Sequence, residues 1–494
     1  MTERGPAPET KDSTSPSSLN IGSDEWAARH GELVVGAGGS VAALVQGWQR
    51  LPGQVRWTLP LVAAAALPVL VANGYVLRIG VNLGLFALLA LGLNVVVGYA
   101  GLLDLGFVAF YGFGAYGYAM LSSDKFGVHL PTLVSVPLVA VLTAALGALL
   151  GLPSRRLLGD YLAIVTLFFG QIFVELMLSA DSLSVPWRSD PVDLTGGSNG
   201  IAGVDPFAAL GFRFTGNRDY YYLLLVLVAV LSIALHRISG SRVGRAWRAG
   251  GEDALAAEAM TVPVNRLKLQ AFVVGAGIAG LTGTVFCAVQ SGVYPSSFDL
   301  PVLILLYAAV ILGGSGSLVG TLVGAAVISV LPEVLRAPAY ADVLFFGLLV
   351  LGVVGSLRRW RPVVLVAAGT AAFGYVANLL LLALGVPYLS AGDWTEGAVA
   401  RLLGRWLFMP ADRTHWGNVA FVLLIAVVAL LSRLPGRRRL VLLPAALWLG
   451  IFVWEVRLVT EPSLTRQLVI GALLIVLMVV RPQGLFGRAR VEGL

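Results

Sequence analysis

The chain has 494 residues, of which 57% are hydrophobic and only 12% are charged. Soluble domains carry about 25% charged residues, so this composition excludes an ordinary soluble protein and predicts a polytopic membrane protein. The single cysteine, Cys287, excludes an intrachain disulfide, and the four histidines are too scattered to form a metal site. The basic residues behind the net charge of +7 stand in short arginine clusters between apolar runs. That pattern is typical of membrane topology and argues against nucleic-acid binding.

The apolar runs predict an all-α, polytopic transmembrane helical bundle. Residues 1–32 are polar and predict a disordered tail with no cleavable signal peptide. A spanning helix needs about 20 apolar residues, and about fourteen later segments approach that length. These segments are 57–76, 80–98, 105–121, 131–152, 161–180, 220–235, 269–290, 301–314, 317–332, 343–356, 362–386, 416–432, 440–454 and 467–480.

The distribution of charge predicts the orientation of the bundle. If the N-terminus is inside and the spans alternate, the inside connections hold 18 basic and five acidic residues, leaving out the N-terminal tail. The outside connections then hold 11 basic and 14 acidic residues. The positive-inside rule therefore favours cytoplasmic N- and C-termini.

Two acidic residues, Asp104 and Glu175, fall outside the tail and the loops and are predicted at membrane depth. Such groups are costly in lipid and are functional candidates by default. Asp104 directly precedes the apolar run from Leu105, so we favour a role as helix N-cap. Glu175 is interpreted as facing a partner subunit or pairing with a helix end, with a buried functional role as the alternative.

Glycines are frequent within the predicted spans. The sequence GAGIAG at 275–280 contains G-x-G-x-x-G, but it lies inside an apolar run, so we interpret it as close helix packing and not as a dinucleotide site. No P-loop motif occurs. The glycine-rich stretch 98–116 joins two spans with almost no polar loop. It predicts either a helix break that lines a cavity or the tight packing of two helices, and both remain open.

Two loops contain candidate functional segments. In the predicted outside turn 194–200, successive N–H groups would suit a carboxylate, although turn chemistry alone also explains the glycines. In the inside loop 242–260, Glu252 and Asp253 open a run of strong helix formers. This run predicts a short docking helix with Leu255, Ala259 and Met260 on one face, or else an amphipathic helix that rests on the membrane.

Several of these segments together resemble permease subunits of branched-chain amino-acid ABC importers, and are most similar to the M-type subunit. The resemblance covers roughly residues 78–357 and the C-terminal end. It rests on the stretch 98–116, the segment Gly159-Asp-Tyr-Leu-Ala-Ile-Val-Thr-Leu-Phe-Phe-Gly170, the turn Leu194-Thr-Gly-Gly-Ser-Asn-Gly-Ile201, the run Glu252-Asp-Ala-Leu-Ala-Ala-Glu-Ala-Met260, Leu312-Gly-Gly-Ser-Gly-Ser317 and Arg481-Pro-Gln-Gly-Leu-Phe-Gly487.

The resemblance implies a heteromeric importer and no covalent chemistry in this chain. A second permease subunit, two ABC ATPase subunits, an extracytoplasmic substrate-binding protein and membrane lipid are the expected partners, and ATP and Mg would be bound by the ATPases alone. The expected ATPase-coupling residues are Arg245, Glu252, Asp253, Ala256, Ala257, Glu258, Ala259 and Met260. The expected translocation-pathway residues are Asn94, Tyr99, Asp104, Phe110, Tyr116, Thr195, Gly196, Gly197 and Asn199.

The chain departs from the family pattern in the coupling segment and after the core. Thr261 stands where the coupling motif usually has Gly, and Gly250 and Gly251 stand where larger or charged residues are more common. Residues 341–361 resemble the family's final span, yet about four extra C-terminal helices follow the roughly ten family-like spans. The resulting domain prediction is an N-terminal tail over 1–55, a permease core over 56–357, inserted helices over 358–466 and a last span with a cytoplasmic tail over 467–494.

The sequence therefore predicts a permease subunit of the bacterial inner membrane that imports branched-chain or related amino acids. The nearest alternative is the same machine carrying urea, short amides or another amino acid. An ion-coupled secondary transporter would use Asp104 and Glu175 as coupling sites, but it gives the loop 242–268 no purpose. A membrane enzyme acting on lipid-linked substrates is disfavoured, because the outer loops lack an acidic cluster with a histidine or a metal set.

Overall fold

The computed structural model forms two compact units, which divide between Ala72 and Asn73. It describes residues 53–70, 73–154, 159–182, 192–209, 211–336, 345–347, 349–350, 352–354, 360–383, 385, 387, 406–407, 409–433, 436–460, 471 and 484–486. Within the first unit, the described element is helix α1 (Gly53–Leu70). The predicted tail 1–32 and the predicted span 467–480, apart from residue 471, lie outside the described residues.

The second unit is nearly all helical. Its helices are α2 (Gly74–Leu93), α3 (Phe107–Leu121), α4 (Thr132–Ser154), α5 (Gly159–Ser179), α6 (Asn217–Gly240), α7 (Arg242–Glu252), α8 (Ala254–Ala259), α9 (Val264–Gln290), α10 (Leu300–Gly313), α11 (Leu318–Val334), α12 (Trp360–Ala383), α13 (Arg413–Arg433) and α14 (Gly436–Thr460). Its strands are β1 (Ile201–Ala202), β2 (Ala208–Ala209), β3 (Phe212–Arg213) and β4 (Gly292–Val293).

Eight helices among the described residues are long and apolar enough to cross a membrane, and five shorter apolar helices accompany them. The prediction of an all-α polytopic bundle is confirmed. The predicted boundary between the first two spans, at 76–80, is wrong. The second helix already begins at Gly74, because the Asn73 side chain caps it by accepting the N–H of Tyr75 at 2.9 Å.

Helix α9 lies at the centre of the core and packs against α3 and α4 through glycines. A Cβ atom on Gly280 would lie 2.6 Å from the Cβ of Thr143, and one on Gly283 would overlap the carbonyl oxygen of Tyr111. Gly114 of α3 likewise meets the backbone of Gly280 directly. The interpretation of the 275–280 glycines as close-packing positions is confirmed, since no larger side chain fits between these helices.

Short strands tie the loops together at one end of the bundle, here called the sheet end. Strand β1 pairs antiparallel with β4 just after α9, and β2 pairs with β3. The Asp205 N–H donates to the carbonyl oxygen of Ser122 at 2.7 Å, which joins this region to the end of α3. The sequence did not predict these strands, because each is only two residues long and carries no alternation signal.

The opposite end of the bundle, here called the loop end, carries α7 and α8. The indole Nε1 of Trp247 in α7 donates to the carbonyl oxygen of Leu267 in α9 at 3.0 Å, and Trp247 is buried. This contact fixes α7 against the first turn of the central helix. The segment between α7 and α9 therefore has a rigid support.

The inserted helices α12, α13 and α14 pack mainly on one another. Their buried cluster contains Trp448, Ile451 and Phe452 of α14. Trp454 stacks on Phe345 with ring centroids 4.3 Å apart, and Leu335 lies in the same buried patch. An apolar contact therefore joins the inserted helices to the segments that follow α11.

Candidate functional site

The first long helix of the core ends in a break that starts at the loop end and continues into the interior of the bundle. Helix α2 continues as a π-helical turn over Asn94–Tyr99, and an irregular segment over 100–106 leads into α3. The Asn94 side chain is fully buried, and its Oδ1 accepts the N–H of Gly316 at 2.8 Å. The break predicted for the stretch 98–116 is present, and its glycines also pack closely, since Gly114 meets the backbone of α9 directly.

Asp104 lies inside this break and is fully buried. Its Oδ1 accepts the N–H of Gly106 at 2.9 Å, and its carbonyl oxygen accepts the hydroxyl of Tyr307 at 2.7 Å. Helix α3 begins at Phe107 with Gly106 at the N-cap, so the predicted N-cap role of Asp104 is wrong. The carboxylate instead closes a turn just before the helix, because the apolar run from Leu105 becomes helical only two residues later.

Most predicted pathway residues of the core face the interior of the chain. Asn94, Tyr99, Phe110 and Tyr116 are each at most 4% exposed. Tyr116 packs against the rings of Phe173 and Phe298, with centroids 6.2 and 6.1 Å away. In this conformation their side chains stabilise the core and do not line a surface that a partner permease could share.

The predicted outer turn around Thr195–Asn199 is closed by its own hydrogen bonds. The Gly196 N–H donates to Asp193 Oδ1 at 2.6 Å, and the Gly197 N–H donates to the buried Thr195 hydroxyl at 3.3 Å. The Asn199 N–H donates to the carbonyl oxygen of Gly196 at 3.1 Å. These N–H groups are not available to a carboxylate, so turn chemistry explains the segment.

The predicted docking helix forms, but it is the second of two helices. Asp253 separates α7 from α8, and its Oδ1 caps α8 by accepting the N–H groups of Leu255 at 2.9 Å and Ala256 at 3.0 Å. Ala257 is only 6% exposed, so its side chain cannot contact a partner, contrary to expectation. The other expected coupling residues are exposed, and they are Arg245, Glu252, Asp253, Ala256, Glu258, Ala259 and Met260.

Thr261 ends α8 in a conformation that suits glycine. Its φ is +65°, in the left-handed region that β-branched residues rarely adopt. The Thr261 N–H donates to the carbonyl oxygen of Glu258, and the Val262 N–H donates to that of Ala257, both at 3.0 Å. This hydrogen-bond pattern is a Schellman motif, in which glycine is the usual residue.

Replacing Thr261 with Gly is expected to stabilise the end of α8. A left-handed L-residue costs about 1–2 kcal/mol, so removing the side chain should slow the local opening of this turn about fivefold. Hydrogen exchange of the amides over 257–262 measures this effect. Thr261→Ala, which keeps the strain, is the control, and faster exchange in the Gly variant would contradict the expectation.

Glycine contacts connect α7 to the helix break. A Cβ atom on Gly251 would lie 2.9 Å from the carbonyl oxygen of Tyr99, and one on Gly101 would lie 3.0 Å from the Gly251 oxygen. Gly101 also has a φ of +67°. The last turn of α7 therefore rests directly on the backbone where α2 ends, which explains why residue 251 is a glycine.

The sheet end carries an exposed histidine between two carboxylates. His129 Nδ1 lies 2.6 Å from Asp205 Oδ2, and its Nε2 lies 3.4 Å from Asp124 Oδ1. The hydrogen bond to Asp205 raises the pKa of His129 above its ordinary value. Nearby, Lys125 lies 2.7 Å from Asp193 and holds the pKa of that carboxyl below its ordinary value.

This histidine predicts a pH-dependent sheet end. Because the pKa of His129 is raised on folding, the stability from its contacts is fully present below about pH 6.5 and is lost as the pH rises through the raised value. Hydrogen exchange over 203–207, corrected for intrinsic rates, should be slower at about pH 5.5 than at about pH 8.5. His129→Asn should remove the difference, and a difference that persists in this variant would contradict the assignment.

Sequence reasoning missed the polar partners of the break. The Leu105 N–H donates to Thr166 Oγ1 of α5 at 2.9 Å, and Tyr307 of α10 binds the carbonyl oxygen of Asp104. The only sign of this contact in the sequence is Thr166, a polar residue in the middle of an apolar run. It is a weak signal, since threonine often bonds its own helix, as Thr166 also does with Ala163.

The broken helix, the close-packed glycine core and the paired helices at the loop end belong to a membrane transport subunit. Residues 75–354 match the family described as branched-chain amino acid transport system, permease component, and the chain belongs to this family. It is a multi-pass membrane permease subunit and not an enzyme.

The chain is similar to several characterised relatives. The permease protein LivM of the high-affinity branched-chain amino acid transport system of Escherichia coli is 36% identical over 326 residues, which are 61% of this chain and 72% of the relative. LivM of Salmonella typhimurium shows the same identity and coverage. BraD of Pseudomonas aeruginosa, a permease protein of the same kind of system, is 27% identical over 54% of this chain and 88% of its own length. No solved structure gives a significant match.

Proposed function

We propose that this chain is the M-type permease of an ATP-driven importer for branched-chain amino acids. A second permease would complete the pathway, a substrate-binding protein would deliver the amino acid, and two ATPases, which alone bind ATP and Mg, would dock on the loop end. That end would face the cytoplasm together with both termini, as the arginine distribution predicts. The similarity to LivM and BraD, permease proteins of branched-chain amino acid transport systems, supports the substrate class.

The exposed surface of α8 is the observation that carries the proposal. Leu255 of α8 and Met260, the residue that directly follows it, are 81% and 76% exposed, and Glu258 lies exposed between them. Apolar side chains beside an acidic one suit a protein groove better than water or lipid. A secondary transporter would have no use for this surface.

The contacts of α7 with α8 and with the helix break connect the proposed ATPase-docking surface to the pathway. Asp253 ends α7 and caps α8, so no loop separates the two helices. The end of α7 touches the break at Gly101, and the break leads to Asp104 and the start of α3. We propose that closure of the ATPase pair pushes α8, and that this push changes the geometry of the break.

Reconstitution of the complete complex tests the function. Proteoliposomes are prepared with both permeases, the ATPases and the binding protein. They are expected to accumulate leucine only when ATP is present on the side of the membrane where the ATPases lie. Unlabelled isoleucine and valine should compete, and urea should not. Uptake driven by an ion gradient without ATP would contradict the proposal, and uptake of urea alone would overturn the substrate class.

A further inference from the structure

A shallow depression opens on the side of the permease core where two helices begin. Its lining comes from the helix break, from the middle of α5 and from the start of α10, and includes Leu105, Gly106, Gln171, Asp299, Leu300 and Leu303. Gln171 and Asp299 are the polar residues of this lining, and the remaining residues are glycine or apolar. The depression therefore combines a small polar region with an aliphatic wall.

The depression lies at membrane depth. Helix α3 runs for 15 residues between the depression and the sheet end, a distance of about 22 Å. Gln171 is roughly 18 Å along α5 from its first residue, within the span Tyr161–Ser179. The apolar core of a bilayer is about 30 Å thick, so both lengths place the depression between the two membrane surfaces.

Polar groups are exposed on this side of the core. Gln171 and Glu175 are both exposed and, four residues apart, share one face of an otherwise apolar helix. An acidic side chain in contact with lipid is costly, so this face is expected to meet a polar passage. The Asp299 side chain makes no capping hydrogen bond to α10, which leaves its carboxylate available to a ligand.

A buried carboxylate is next in sequence to the lining of the depression. Among the described residues, Asp104 Oδ2 has no hydrogen-bond partner although the side chain is fully buried. Asp104 directly precedes Leu105 and Gly106, which line the depression. Phe298 anchors the other side, because its ring packs 5.2 Å from Tyr111 and so fixes Asp299 at the start of α10.

We propose that this depression holds the amino acid in transit, so that Asp299 and Gln171 bind the ammonium group and the aliphatic wall contacts the side chain. This inference rests on the proposed function and adds the place and chemistry of recognition. The N-terminal end of α3, which also borders the depression, favours the carboxylate of the same zwitterion. The second permease would cover the open side. Such a site selects an aliphatic zwitterion over neutral urea.

Two substitutions test the site in the complete complex. Asp299→Asn and Gln171→Leu are each expected to lower the kcat/KM of leucine uptake at least about tenfold, since a hydrogen bond to a charged group is removed. The copurified ATPase should stay at the normal level. The matched controls are Asp412→Asn, at the start of α13, and Gln270→Leu, at an exposed position of α9, and both should transport normally.

Photolabelling locates the substrate independently of these variants. A leucine analogue that carries a diazirine in its side chain, activated by light during turnover, should label peptides containing residues 105–109 or 298–303. The site would be overturned if both variants took up leucine as well as the wild type does. It would also be overturned if the label were confined to other peptides. Absence of leucine uptake by the wild-type complex would instead overturn the proposed function.

Discussion

Replacing Ala256 with Trp is expected to release the ATPases from the permease pair and to lower leucine uptake at least about tenfold. Ala256 is exposed on α8 beside Leu255 and Glu258, where a small side chain allows close approach to a groove. Overpacking a fitted contact costs about 1–3 kcal/mol, which corresponds to about 5- to 150-fold in binding. Copurification of the ATPases and uptake in proteoliposomes measure the two effects.

A second variant and a control separate docking from folding. Glu258→Lys reverses a charge on the same surface and should act in the same direction. Ala372→Trp places the same large side chain at an exposed position of α12, in the inserted helices, and should leave uptake normal. If both α8 variants retain the ATPases and transport at the normal rate, α8 is not the docking element.

Replacing Gly251 with Val is expected to uncouple ATP hydrolysis from uptake while the ATPases stay bound. The new side chain would collide with the carbonyl oxygen of Tyr99, only 2.9 Å from the position of Cβ, and would push α7 away from the break. The exposed residues of α8 would remain unchanged. We expect uptake to fall about tenfold or more at a near-normal rate of ATP hydrolysis, measured on the same proteoliposomes.

The adjacent glycine gives a matched control for this prediction. A Cβ atom on Gly250 would lie 3.5 Å from Val264, which is an ordinary van der Waals distance. Gly250→Val makes the same chemical change in the same helix and should keep at least about half of the uptake, because no backbone atom obstructs it. Equal loss in both variants would show that helix propensity, and not contact with the break, causes the defect.

The sequence was sufficient to predict the membrane helices, because long apolar runs leave few alternatives in lipid. It also predicted that the 275–280 glycines pack closely, since only small residues allow such helix contacts. It did not predict the β1–β4 pair, in which residues far apart in the chain, at 201 and 293, meet through backbone atoms alone. Side-chain identity carries little information about such pairs.

The orientation of individual side chains was harder to predict than the helices themselves. The family resemblance implied that Tyr116 and Phe110 line the pathway, yet both are buried in the core. In a membrane helix apolar residues occur on every face, so hydrophobic periodicity does not separate interior from exterior. Gln171, which is polar and exposed, belongs to the site proposed above and was not predicted.

In the coupling segment, too, the helix was easier to predict than the direction in which each side chain points. The run from Glu252 predicted a short helix, and Asp253 caps one. Sequence alone did not show that Ala257 faces inward while Ala256 faces outward. Apart from Glu258, all five residues of α8 are alanine or leucine, so the sequence does not distinguish one face of the helix from the other. That assignment depends on how α7 packs against α9 through Trp247.

Site-specific crosslinking from α8 tests the central claim most directly. The only cysteine, Cys287, is buried, so a cysteine introduced by Met260→Cys gives a single accessible attachment point for a benzophenone label. Leu365→Cys on α12 is the control, since Leu365 is exposed but lies in the inserted helices. In a complex that imports leucine, light is expected to join the label at position 260, and not at 365, to the ATPase. An active complex with no ATPase adduct at position 260 would contradict docking of the ATPase on α8.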